Sequence, residues 1–131
     1  MTPLRILIAE DDSLIGMLLG EMLVGLGHFV YETETTEAEA VAAAIQQTPD
    51  LMIIDAALRI GSGVSAVQTI LQTGFVPHFF VSGNPGQIRR ELPNAVVLEK
   101  PFREIDLVRA IERVLSRNAL TSSSSNNHHS S

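Results

Sequence analysis

Apolar positions along this chain follow two rhythms that take turns. Residues 4–9 form a nearly continuous apolar run interrupted by Arg5, and it stops at Glu10, Asp11 and Asp12. Residues 51–54 form another, entered after Pro49-Asp50 and ending on the carboxylate of Asp55. Short runs without alternation are the pattern of strands buried on both faces. Between them, Ile15, Leu18, Leu19, Met22, Leu23 and Leu26 recur at helical spacing. Asp12 or Ser13 can cap that helix, and Gly25 or Gly27 can stop it. Residues 29–33 read as a more polar strand, nearer an edge. Residues 36–47 read as a helix capped by Thr35 or Thr36, with Ala38, Val41, Ala42 and Ile45 on its inward face.

Beyond Asp55 the pattern repeats. A loop carrying Gly61 and Gly63 leads into a helical stretch over 64–73, and residues 77–82 read as a fourth strand ending on the Ser82 hydroxyl. Gly83-Asn84-Pro85-Gly86 is a strong loop signal, leaving 87–92 room for only a short helix before Pro93. Residues 95–98 make a fifth strand that ends at Glu99-Lys100-Pro101. A last helix spans about 103 to 117, with Ile105, Val108, Ile111 and Leu115 facing inward. The domain takes residues 1–118, and the Ser/Asn/His stretch over 119–131 is expected to be disordered.

Five strands alternating with helices predict an α/β fold, a doubly wound five-stranded parallel sheet covered on both faces, with a short or irregular fourth helix. In such a sheet, ligands bind just beyond the carboxyl ends of the strands. Glu10, Asp11, Asp55, Ser82 and Lys100 are therefore expected to converge on one rim.

Composition narrows the function. At 131 residues with 45% hydrophobic content, one ordinary core is expected. The net charge of -6 offers no basic surface for nucleic acid or anionic lipid. There is no cysteine, so neither a disulfide framework nor a thiolate metal site is available. Neither a signal peptide nor an apolar run of membrane-spanning length is evident, which leads us to expect a cytoplasmic protein without membrane contact.

The predicted rim has chemical sense. Carboxylates held close together repel unless a cation neutralises them, and a hard divalent ion such as Mg²⁺ suits oxygen ligands. Asp11 and Asp55 are the expected direct ligands, joined by the backbone carbonyl of Ala57, with Glu10 acting through water. A carboxylate so held can attack a phosphoryl group. Ser82 can then hydrogen-bond one phosphoryl oxygen while Lys100 supplies a point charge to another. Lys100 is the only lysine among nine cationic side chains. Each signal has a plainer alternative: Glu10-Asp11-Asp12 as helix-capping acids, Asp55 and Lys100 as a surface ion pair, Ser82 as a turn former. Their joint placement at strand ends is what favours a site. His78 and Tyr31 are expected to be structural.

With these residues in view, the chain resembles the response-regulator receiver domains of two-component signalling, whose fold is flavodoxin-like. The resemblance rests on residues 5–15 with Glu10-Asp11-Asp12, on Ile53-Ile54-Asp55, on Val81-Ser82-Gly83 and on Lys100-Pro101-Phe102. It implies that Asp55 is the phosphoacceptor, Glu10 and Asp11 the acidic pair for Mg²⁺, Ser82 the switch hydroxyl and Lys100 the phosphoryl-sensing lysine. A cis Lys100-Pro101 bond is implied too. The implied donor is a histidine kinase or a histidine phosphotransfer protein, and the implied output is contact with another protein or service as a phosphate sink. The only reaction implied is the domain's own phosphorylation and dephosphorylation. Since the chain runs out after one domain, a stand-alone regulator is expected.

Departures from the family pattern are equally specific. Val97 stands where receivers usually carry an aromatic, three residues before the lysine. Leu58-Arg59 replaces the common Leu-Pro pair, and the segment from Ser82 to Lys100 is short. Residues 77–84 partly match a subgroup of single-domain receivers with a Pro-Phe-x-Phe-Ala-Thr-Gly motif. Two other classes stand beside it: a receiver-like interaction module that works without phosphate, which Val97 would suit, and a phosphohydrolase, which lacks its second acid because residue 57 is Ala. Leu14, Met17 and Val24 extend the apolar surface of the first helix, either as a partner surface or as deeper core.

Overall fold

The apolar runs become five parallel strands, interleaved with helices in a computed structural model. It describes the backbone of residues 2–130 and the side chains of residues 2–117. The expected 119–131 tail lies outside the residues whose side chains are described. The elements in chain order are β1 (Arg5–Ala9), α1 (Ser13–Gly25), β2 (Phe29–Glu34), α2 (Glu37–Gln46), β3 (Leu51–Asp55), α3 (Gly63–Leu71), β4 (His78–Ser82), α4 (Pro85–Glu91), β5 (Val97–Glu99) and α5 (Glu104–Ser130). The strand order is β2-β1-β3-β4-β5. This is the doubly wound arrangement, and its order reverses between β1 and β3, the place where such sheets open a crevice.

Both-face burial explains the unbroken apolar strands. Ile6, Ile8, Leu51, Ile53, Phe79 and Val81 pack towards α1 and α5, whereas Leu7, Met52, Ile54 and Phe80 pack towards α2, α3 and α4. Alternate residues of each strand thus serve opposite layers. β2 is the edge strand beside β1 and its pattern is mostly exposed or half-buried, as its polar sequence predicts. Glycine ends α1 as expected: Gly27 sits at φ 92°, a conformation open to glycine at little cost.

The helix faces depart from the sequence reading in three places. α2 buries Ala40, Ala43 and Ala44, while Ala38, Ala42 and Ile45 are exposed and Val41 is half-buried. Its sequence, EAEAVAAAIQ, carries small apolar residues all round, so the larger side chains do not settle its rotation. That rotation follows instead from the Thr36 cap, whose hydroxyl accepts from Glu39 N at 3.2 Å, and from the low bulk of alanine, which lets the helix lie close to the sheet. α5 buries Leu107, Ala110, Ile111 and Val114, leaving Ile105 exposed and Val108 and Leu115 half-buried. At the helix start Arg103 N donates to Asp106 Oδ2 at 2.9 Å, and Ile105 lies on the solvent side of the same turn. On α1 the inward face is narrower than expected, because Leu18 is exposed along with Leu14, Met17 and Val24.

Candidate functional site

Each strand end delivers its polar residue to one rim. β1 stops at Ala9, and Glu10 follows with its backbone N–H donating to the Glu34 carbonyl at 2.8 Å. That bond turns the Glu10 side chain under the rim, where it is 1% exposed, while Asp11 points to solvent. Asp12 goes to the α1 N-cap, accepting from Leu14 N at 2.9 Å and Ile15 N at 3.3 Å. The plain helix-capping reading therefore holds for Asp12 alone of the three acids.

Asp55, the last residue of β3, is 5% exposed between β1 and β4. Its two oxygens have different partners: Oδ1 accepts from Ala57 N at 2.9 Å, and Oδ2 from Lys100 Nζ at 2.6 Å. Lys100 Nζ also lies 2.9 Å from Glu10 Oε1, so that one ammonium pairs with both buried carboxylates. The lysine is aimed by its backbone, whose N–H donates to the Ser82 carbonyl at 2.9 Å, and the Lys100-Pro101 bond that follows is cis. Ser82 is buried at the end of β4, with its Oγ accepting from Asn84 N at 2.9 Å in a local turn. Asp11, Asp55, Ser82, Asn84 and Lys100 line one cleft of about 610 Å³.

The electrostatics suit a divalent cation. Burial pushes the Glu10 carboxyl up to about 8, with a hydrogen bond to and repulsion from Asp55 adding to the effect and Lys100 opposing it. Desolvation acts to lower the Lys100 ammonium, but its contacts with Asp55 and Glu10 outweigh this and raise it. One lysine thus serves two buried carboxylates and leaves Asp11 unmatched. Glu10, Asp11 and Asp55 each present an oxygen within 4.8 Å of the other two. A set of three carboxylate oxygens with a single ammonium among them matches a hard divalent ion, which keeps its remaining ligands as water or phosphate oxygens.

The geometry and the relatives agree. No family model matches the chain. The transcriptional regulatory protein PdtaR of Mycobacterium tuberculosis is 34% identical over 119 residues, which cover 88% of this chain and 58% of that protein. The chain thus spans little more than half the length of this curated relative. The solution structure of the Erythrobacter litoralis PhyR response regulator REC domain superposes with a TM-score of 0.80 at 31% identity, covering 88% of this chain and 92% of that one. The chain belongs to the response-regulator receiver family. The anti-anti-sigma factor PhyR of Bartonella quintana, with a TM-score of 0.82 at 30% identity, aligns over 95% of this chain and 52% of its own.

Within this receiver, the position that usually carries an aromatic is filled by Val97, half-buried on β5 and paired with Phe80. α4 is only seven residues long, starts at Pro85 and anchors itself through buried Ile88. His78 is held by its own strand, its Nδ1 2.8 Å from the Val76 carbonyl and its ring edge-on to Phe80, which makes it structural. Tyr31 is structural too, donating from its hydroxyl to the Gln47 carbonyl at 2.6 Å.

Two groups that matter to the rim escaped the sequence reading. Gly63 leaves no room for a side chain: a Cβ there would lie 2.0 Å from the Asp55 carbonyl oxygen and 2.7 Å from Ile54 Cγ2. Its position after a loop was visible in the sequence, but the close approach was not. Glu37 was the other, a residue that looks like an ordinary first-turn acid of α2 yet bonds across to α3.

Among the described residues no helix is long and apolar enough to cross a membrane. The domain's kinship with response regulators assigns it a regulatory rather than a metabolic role.

Proposed function

We propose that Asp55 is the phosphoacceptor of a Mg²⁺-dependent receiver, taking a phosphoryl group from a phosphohistidine of a histidine kinase or phosphotransfer protein in the cytoplasm. The observation that carries this reading is the grouping of Glu10, Asp11 and Asp55 oxygens within 4.8 Å, with Lys100 Nζ 2.6 Å from Asp55. In the transfer, an Asp55 oxygen attacks phosphorus, and the bond to the donor imidazole nitrogen breaks with its electron pair staying on that nitrogen. Asp11, Asp55 and the Ala57 carbonyl would hold Mg²⁺ with Glu10 acting through water, and the ion would supply positive charge against the phosphoryl oxygens. Lys100 follows the phosphoryl group as a point charge, and the Ser82 hydroxyl exchanges its local turn with Asn84 for a phosphoryl oxygen.

The added negative charge then biases the 83–94 segment and the β5–α5 face towards a state that another protein binds. With Val97 in place of an aromatic, the signal leaves through the backbone shared by Ser82 and Lys100 rather than through a swinging ring. Intact mass after incubation with Mg²⁺ and acetyl phosphate tests the reading. A gain of one phosphoryl group that disappears in Asp55→Asn supports it. No gain, together with no Mg²⁺ binding, would leave a phosphate-independent interaction module as the function.

A further inference from the structure

The loop between Asp55 and α3 is tied to α2 from outside the site. Its ends meet, because Ala57 and Ser62 form an antiparallel bridge and Gly63 N donates to the Ala56 carbonyl at 3.0 Å. Its middle is paired to the chain before α2: Arg59 N donates to the Thr35 carbonyl at 3.1 Å, and Glu37 N donates to the Ile60 carbonyl at 3.0 Å. The Glu37 carboxylate closes the arrangement. Its Oε1 accepts from Ser62 N at 2.9 Å and its Oε2 from Ser65 Oγ at 2.7 Å. Gly61, at φ 91°, folds against the same side chain, leaving no room for a Cβ of its own.

A continuous path therefore runs from Glu37 to the reacting carboxylate. Glu37 fixes the Ser62 N–H, Ser62 is bridged to Ala57, and the Ala57 N–H donates to Asp55 Oδ1 at 2.9 Å. An acid in the first turn of α2 would ordinarily serve its own helix dipole. Glu37 instead spends both oxygens on the N-terminus of the neighbouring helix. The bonds from Ser62 and Ser65 also hold its carboxyl below the usual range, so the charged form is the one in place near neutral pH.

We propose that Glu37 is a positioning residue of the Asp55 site, holding the 56–62 loop closed so that Ala57 presents its N–H to Asp55 and its carbonyl to the metal. This rests on the proposed role of Asp55, and it assigns the positioning of the metal's loop ligand to a side chain that lies outside the cleft. Groups that orient ligands from behind are worth about 10-fold or more in metal affinity.

The test compares Glu37→Ala, Glu37→Gln and Tyr31→Phe in the full chain. Tyr31→Phe removes a hydrogen bond at the far end of α2 and controls for lost stability alone. Three readouts are taken: Mg²⁺ affinity by calorimetry, phosphoryl uptake from acetyl phosphate by intact mass, and amide exchange at Ala57 and Gly63 by NMR. Glu37→Ala is expected to weaken Mg²⁺ binding by about 10-fold, to slow phosphoryl uptake and to speed both amides. Glu37→Gln keeps an acceptor for Ser62 N and a polar partner for Ser65, and should stay within about twofold of wild type, while Tyr31→Phe leaves the affinity unchanged. Wild-type affinity and uptake in Glu37→Ala, or equal losses in Tyr31→Phe, would overturn the positioning role and leave Asp55 as phosphoacceptor. A wild-type chain that takes up neither Mg²⁺ nor phosphoryl would overturn both readings at once.

Discussion

Replacing Gly63 by alanine tests how tightly the Asp55 site is built. The added Cβ would lie 2.0 Å from the Asp55 carbonyl oxygen, 2.7 Å from Ile54 Cγ2 and 2.9 Å from the Asp55 carbonyl carbon. An ordinary carbon-oxygen contact is about 3.2 Å or longer, so the α3 start and the β3 end must separate by roughly 1 Å. Neither side yields easily. Asp55 and Ile54 belong to a fully buried strand paired on both edges, and Gly63 is bonded to Ala56. Overpacking of this kind costs about 1–3 kcal/mol, and stretching the Gly63 hydrogen bond costs about 1 kcal/mol more. Lower chain entropy in the unfolded alanine variant returns about 0.4–1 kcal/mol. The net loss is about 2–3 kcal/mol, which for a domain of this size lowers Tm by roughly 8–12 °C. Gly20, in mid-α1 with nothing within 4 Å of its would-be Cβ, is the matched control. Gly20→Ala should raise stability by about 0.5–1 kcal/mol, since glycine is the poorer helix former. Thermal unfolding followed by circular dichroism measures both. A Gly63→Ala protein melting within about 2 °C of wild type would refute the close approach and, with it, the account of why the loop and Asp55 move as one piece.

Three further outcomes follow from the same structure. Lys100→Met removes the one cation touching Glu10 and Asp55; with the lysine side chain 22% exposed, the loss in urea denaturation without Mg²⁺ should be near the low end of a broken buried pair, about 3 kcal/mol, and the variant should bind Mg²⁺ more tightly than wild type. Leu107→Ala should cost about 2–5 kcal/mol and Ile105→Ala less than about 0.5 kcal/mol, because α5 turns the first into the core and the second to solvent. His28 is lowered from its ordinary value by burial, with the N-terminal charge adding to it, and its Nδ1 accepts from Leu4 N at 3.1 Å. A depressed histidine means the folded state binds fewer protons than the unfolded one, so its stabilisation is whole above about pH 6.5 and is lost as pH falls below it; urea midpoints at pH 8 and pH 5 should therefore differ less in His28→Gln than in wild type.

The strands and the rim were legible in the sequence because each depends on a local pattern. A strand buried on both faces must be continuously apolar, as at Leu51–Asp55, and a parallel sheet sends all its carboxyl ends to one side, so Glu10, Asp11, Asp55, Ser82 and Lys100 had a shared destination before any distance was known. Helix rotation was less legible where apolar residues lie on every side. In α2 the alanines at 40, 43 and 44 compete with Ala38, Val41, Ala42 and Ile45 for the sheet, and the choice falls to the Thr36 cap and to side-chain bulk. The Glu37 contact lies beyond both kinds of pattern. Ser62 is 25 residues away along the chain, and no period or motif joins the two. They meet because α2 and α3 cover the same face of the sheet, where Ala40, Ala44, Val67 and Ile70 share one core cluster, and this brings the two helix starts side by side. Strand ends bring polar groups to one rim; the groups that hold the rim's loop are found where crossovers on one face bring helix ends together, and the difference in Mg²⁺ affinity between Glu37→Ala and Tyr31→Phe measures how much of the proposed site's geometry is set there.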